Sequence, residues 1–123
     1  MAIRPFSETA NMARINAPVL LGLEDGNPLY AVELDPEAAL PGGVEITDTR
    51  SAAMQLAIEE TGILAQARSL IEWRRRHRFC ANCGTPTLEL EAGRKRACPS
   101  CATEHFPRVD PVVIMLVVKD DWC

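Results

Sequence analysis

Apolar and polar positions along the chain fall into four successive patterns. Val19-Leu20-Leu21-Gly22-Leu23 is a short apolar block, followed by Glu24-Asp25-Gly26-Asn27-Pro28. The Asp-Gly pair supplies residues that tolerate positive φ, so the pattern predicts a β-hairpin over 16–34, with Leu29 to Leu34 as the returning strand. Asp35-Pro36 and Pro41-Gly42-Gly43 then break the chain. Residues 1–47 thus read as a small strand-rich unit. From 49 to 77 the spacing becomes helical, with Leu56, Ile63, Leu64, Ala67, Leu70 and Ile71 as the apolar stripe. Asp48 or Thr49 is the expected N-cap, Gly62 a point of division into two helices, and Glu72-Trp73-Arg74-Arg75-Arg76-His77-Arg78 a basic close suited to the helix dipole. Thr87 to Glu91 and Arg94 to Ala97 read as two short strands joined across Ala92-Gly93. Val112 to Val118 is unbroken apolar chain, which predicts a strand buried on both faces. Five residues follow that run and none suits a partner strand, so the chain reads as a fragment ending where a new domain begins.

A length of 123 residues permits one domain, or two small ones sharing a modest core. Apolar residues at 47% exclude a disordered chain, and aromatics at 5% leave the core to Leu, Ile, Val and Ala. No apolar run approaches the ~20 residues of a membrane-spanning helix. No basic-then-apolar leader is visible after Met1, and the expectation is a cytoplasmic protein without membrane contact. The net charge of −4 hides an asymmetry: residues 1–67 carry a net of −7 and residues 68–96 a net of +5. Overall acidity argues against general coating of nucleic acid. The arginines at 74, 75, 76 and 78, with Arg94-Lys95-Arg96, read mainly as solvated faces, with local anion contact left open.

The cysteines change the picture most. Four of the five stand at Cys80, Cys83, Cys98 and Cys101, in the pattern C-x2-C-x14-C-x2-C, and the fifth is the last residue, Cys123. Each C-x2-C pair can form a tight turn aiming two sulfurs at one ion, and two such turns complete a tetrahedral thiolate site. Zn2+ suits that donor set; an iron–sulfur centre could use the same ligands. Four sulfur ligands leave no open position for water, so the metal is expected to be structural. His77 and His105 flank the cluster without being needed as ligands.

The run Glu72-Trp73-Arg74, His77-Arg78-Phe79-Cys80-Ala81-Asn82-Cys83-Gly84, Cys98-Pro99-Ser100-Cys101 and His105-Phe106-Pro107-Arg108-Val109-Asp110-Pro111-Val112-Val113-Ile114 closely resembles the NADH pyrophosphatase family of Nudix hydrolases. The resemblance implies an α+β chain. A small strand-rich N-terminal domain with a helical segment spans 1–76, a zinc ribbon 77–108, and the first strand of a missing α/β Nudix domain 109–123. It implies an enzyme that splits the diphosphate of NADH or NAD+ into nicotinamide mononucleotide and AMP, with NAD-capped RNA as a further substrate and a homodimer as the assembly. The catalytic glutamates and their Mg2+ or Mn2+ belong to the Nudix box. No residue of this chain corresponds to them, so the chain by itself is expected to be inactive. What the resemblance places here is structural zinc on Cys80, Cys83, Cys98 and Cys101, and substrate contacts at Phe106 and Arg50. The reading from another class is a free-standing zinc-ribbon module that binds nucleic acid or protein.

Glu59-Glu60-Thr61-Gly62-Ile63 matches the last five positions of the Nudix box, G-x5-E-x7-R-E-U-x-E-E-x-G-U. In register, the box needs Arg and Glu where this chain has Gln55 and Leu56, and Gly and Glu where it has Pro41 and Thr47. The match reads as a chance resemblance on a solvated helix face, without metal chemistry.

Overall fold

The computed structural model describes residues 14–40, 42–110 and 112–122. Cys123 lies outside them. Strands β1 (Val19–Glu24) and β2 (Asn27–Ala31) form an antiparallel hairpin. Its turn is only Asp25-Gly26, both at positive φ, the two-residue geometry that matches strand twist. Asn27 and Pro28 therefore belong to the second strand, which ends at Ala31, before the expected Leu34. A two-stranded sheet is all edge, and that is where Pro28 can sit without breaking a ladder.

Register slips between Leu20 and Gly22, leaving Leu21 as a bulge. Its carbonyl accepts from Gln66 Nε2 at 3.0 Å and from Arg94 Nη2 at 2.7 Å. A backbone acceptor left out of the ladder is thereby satisfied from two other parts of the chain.

The helical stretch divides into α1 (Thr49–Ala53) and α2 (Ile58–Arg76). Asp48 caps α1, its Oδ1 accepting from the backbone N–H groups of Arg50 and Ser51. The division falls at 54–57; Gly62 lies inside α2. Met54, Gln55, Leu56 and Ala57 are good helix formers, so propensity does not explain the break. What restarts the helix is Glu60, whose carboxylate accepts from the Ala57 N–H at 3.3 Å, while Ala57 has no side-chain acceptor to return the cap. Ala67 and Leu70 of α2 pack with Val19, Leu21 and Ala31, and Ile63 and Ile71 flank them. These four α2 residues belong to the predicted stripe; Leu56 falls in the break before α2, and Leu64 is half-buried outside this cluster.

Beyond α2, β3 (Leu88–Leu90), β4 (Lys95–Ala97) and β5 (Glu104–His105) form a three-stranded antiparallel sheet in that order. β5 was not expected; two residues are too short to show a period. The β3–β4 turn is a single 3-10 turn, Glu91–Gly93, with all three residues at positive φ. Its Gly93 seats on Val19, the most deeply buried residue of the hairpin.

The run Val112–Val118 is not a strand. Every side chain in it is exposed, and the nearest pairing is the isolated bridge between Lys119 and Trp122. A strand needs an adjacent edge to satisfy its N–H and C=O groups, and the described residues offer none beside this segment.

Candidate metal centre

Two turns of the same design build the centre. In the first, Cys80 N–H donates to Thr85 C=O at 2.8 Å and Gly84 N–H to Cys80 C=O at 2.9 Å. In the second, Cys98 N–H donates to Thr103 C=O at 2.9 Å and Ala102 N–H to Cys98 C=O at 3.0 Å. Each turn needs positive φ directly after its second cysteine. Gly84 supplies φ 75° freely, whereas Ala102 is held at 58° against its own Cβ.

The four sulfurs lie within 4.8 Å of one another, with Cys80–Cys101 at 3.7 Å and Cys83–Cys98 at 3.4 Å. A tetrahedron with metal–sulfur bonds of about 2.3 Å has edges of about 3.8 Å. The site therefore fits a zinc ion with little rearrangement, and the donor set is closed. Among the described residues this is the one group of metal-ligating side chains that converges.

Threonines support the sulfurs. Thr85 Oγ1 is 3.4 Å from Cys83 Sγ and Thr103 Oγ1 is 3.1 Å from Cys101 Sγ. The Asn82 N–H donates to Cys80 Sγ at 3.4 Å. Hydrogen bonding to Thr103 holds the Cys101 thiol down at about 5, and Thr85 lowers Cys83 likewise. At Cys98 the N–H of Cys101 pulls down, but burial and the neighbouring thiols push the value up to about 11. A divalent cation is what allows all four to be thiolates together. Sequence reasoning picked out the ligands but missed Thr85 and Thr103. The signal was present: C-x2-C-Gly-Thr at 80–85 repeats as C-x2-C-Ala-Thr at 98–103.

Part of the basic set departs from the expected solvated face, while Arg75, Arg76 and Arg78 are exposed as expected. Arg74 is 3% exposed; its Nη1 donates to Ala17 C=O at 2.6 Å and pairs with Glu89 at 3.3 Å. Arg96 is also buried, pairing with Glu89 and donating to the Thr87 hydroxyl and carbonyl. Arg94 donates to the Leu20 and Leu21 carbonyls, and Lys95 pairs with Glu91 and Glu104. Arg74 and Arg94 thereby tie α2, the hairpin and the ribbon together, while Lys95 and Arg96 brace the ribbon within itself. Arg75 and Arg76 share Glu72.

Phe106 follows β5 and is 56% exposed, with Lys95 Nζ 5.7 Å from its ring centre. It borders a groove of about 590 Å³ between Ala65 and Ser69 of α2 and Arg94 and Arg108. Arg50 is exposed in the first turn of α1 and is not among the residues lining that groove. Glu59 and Glu60 occupy the first turn of α2, where carboxylates suit the positive end of the helix.

Residues 1–73 match the family model described as the NADH pyrophosphatase-like rudimentary NUDIX domain, and residues 75–106 match the NADH pyrophosphatase zinc ribbon domain. The NAD-capped RNA hydrolase NudC of Stutzerimonas stutzeri is 33% identical over 114 residues, covering 89% of this chain and 41% of that protein. The protein of the same name from Deinococcus radiodurans is 36% identical over 103 residues, covering 84% of this chain and 36% of its own length. The human NAD-capped RNA hydrolase NUDT12 is 46% identical over 78 residues, covering 57% of this chain and 17% of its own. The chain thus spans about two-fifths of the length of the first two relatives. The Glu59–Ile63 match falls inside the residues matched by the first of these models, and its carboxylates serve the start of α2. Two models from one family, met in order and joined by packed arginines, place this chain in the NADH pyrophosphatase family of Nudix hydrolases.

Proposed function

We propose that the chain is the N-terminal and zinc-ribbon portion of an NAD(H) diphosphatase that releases NMN(H) and AMP and also accepts NAD-capped RNA. The observation that carries this reading is the ordered pair of family matches around a four-thiol centre. The relatives named above as NAD-capped RNA hydrolases support the substrate class. Attack on the diphosphate belongs to a Nudix domain carrying the box glutamates with Mg2+ or Mn2+, since this chain holds only the five-residue match at Glu59–Ile63. The ribbon's part is to hold Phe106 at its exit, with an open ring face on which a nucleotide base can stack. Arg50, exposed on α1, is proposed as a second substrate contact reached by a longer ligand or a partner subunit of a homodimer. A cytoplasmic, reducing setting suits four unpaired thiols.

The test is AMP release from NADH with Mn2+. The 123-residue chain alone is expected to be inert, and the same chain joined to a Nudix catalytic domain active. In the joined protein, Phe106→Ala should cost about 1–3 kcal/mol in kcat/KM, the range of base–aromatic stacking. Turnover by the chain alone that Glu60→Gln abolishes would overturn this reading.

A further inference from the structure

A second cavity of about 590 Å³ opens where the C-terminal end of α2 meets the first cysteine turn. It shares no lining residue with the groove beside Phe106. Its lining includes four guanidinium groups, Arg74, Arg75, Arg78 and Arg96, against the single carboxylate of Glu33. Arg74 and Arg96 form a buried floor whose charge Glu33 and Glu89 balance. Even so, Arg74 Nε and Nη2 have no hydrogen-bond partner among the described residues. At the mouth the balance fails. Arg75 must share Glu72 with Arg76, and Arg78 has no carboxylate partner among the described residues. The guanidinium of Arg78 instead stands 6.0 Å from the ring centre of Phe79, which is itself largely exposed.

We propose that this cavity seats a nucleotide unit of single-stranded nucleic acid, its phosphate on Arg75 and Arg78 and its base on Phe79. Uncompensated cations beside an exposed aromatic ring are the pairing that single-strand binding uses, phosphate neutralised and base stacked. A volume within the ~300–1,000 Å³ of small-ligand pockets admits a nucleotide. An apolar or acidic occupant would use only half of this lining. The seat rests on the function proposed above only for the source of the strand, the RNA body of a capped substrate.

The test uses the zinc-loaded chain and a fluorescently labelled oligoribonucleotide carrying no NAD cap, so its failure leaves the diphosphatase reading intact. Anisotropy should show binding that weakens with salt. Phe79→Ala should weaken it by about 5- to 150-fold, the span of a lost stack. Arg78→Glu should weaken it further and flatten the salt dependence by about one unit of log–log slope, as a lost phosphate contact does. Arg75→Glu, on the exposed end of α2, gives the same direction without touching the cysteine turn, and retained zinc content shows that each variant is folded. Displacement by AMP would identify a seat for a free nucleotide, and displacement only by longer strands a seat within a chain; either supports nucleotide recognition. Affinity unchanged by all three substitutions, no binding at low salt, or equal displacement by polyglutamate would overturn it.

Discussion

Replacing Gly93 with alanine tests whether the ribbon is seated on the hairpin. Gly93 has φ 88°, and a Cβ added there would meet Val19 Cγ2 at 3.0 Å, Val19 Cγ1 at 3.2 Å and Glu89 Oε1 at 3.3 Å. Val19 is 0% exposed and cannot swing into solvent. Forcing an L-residue into left-handed backbone costs about 1–2 kcal/mol, and overpacking a closed core about 1–3 kcal/mol. The stiffer unfolded chain returns roughly 0.4–1 kcal/mol. Gly93→Ala should therefore lower stability by about 2–4 kcal/mol, read as a shift in the urea midpoint of the zinc-loaded protein at unchanged slope. Gly62→Ala is the internal control. Gly62 lies inside α2, exposed, with nothing within 4 Å of the added Cβ. There alanine should stabilise by about 0.5–1 kcal/mol. If Gly93→Ala falls within about 0.5 kcal/mol of the parent, the level expected of an ordinary surface change, the ribbon is not packed on Val19 and the reasoning fails.

Three further outcomes follow from the same contacts. Ala102→Gly should stabilise the zinc-loaded ribbon by roughly 0.5–1 kcal/mol in thermal unfolding, because it removes the Cβ held at positive φ. Arg74→Met should destabilise by on the order of 3 kcal/mol in urea, since it takes away the cation nearest Glu33, leaves Glu89 with Arg96 alone and strips the Ala17 carbonyl of its donor. Zinc affinity, measured by competition with a chelator, should fall steadily from pH 8 to pH 5. Binding needs four thiolates and so releases protons: Cys101, at about 5, is already charged at neutral pH, while Cys98, at about 11, must lose its proton to the metal. An affinity independent of pH in that window would contradict the ligand set.

Where local chemistry decides, the chain was readable from its residues. Asp25-Gly26 needs no tertiary help to turn, Asp48 caps from within its own loop, and two C-x2-C turns carry their geometry in six residues each. The stripe on α2 was legible because a helix repeats its buried face. The failures share a cause, which is that the deciding partner lies far away in sequence. Arg74 reads as one of a solvated run until Ala17, 57 residues earlier, and Glu89 are brought against it. Arg94 looks like a surface cation until the bulge at Leu21 leaves a carbonyl to fill, and no periodicity shows a bulge. The break at 54–57 is invisible to propensity because its residues favour helix, and the Glu60 cap that restarts α2 looks in sequence like any first-turn carboxylate. Val112–Val118 shows the opposite limit: a strong strand pattern without an edge to pair with stays irregular.

The central claim, that a zinc ion on four cysteines organises the ribbon and holds it as one unit with the hairpin, is tested most directly by native mass spectrometry of the purified chain. The account predicts a single zinc bound with displacement of thiol protons, lost together with ribbon protection from proteolysis in Cys98→Ser. A folded ribbon free of metal, or one carrying an iron–sulfur cluster, would contradict it.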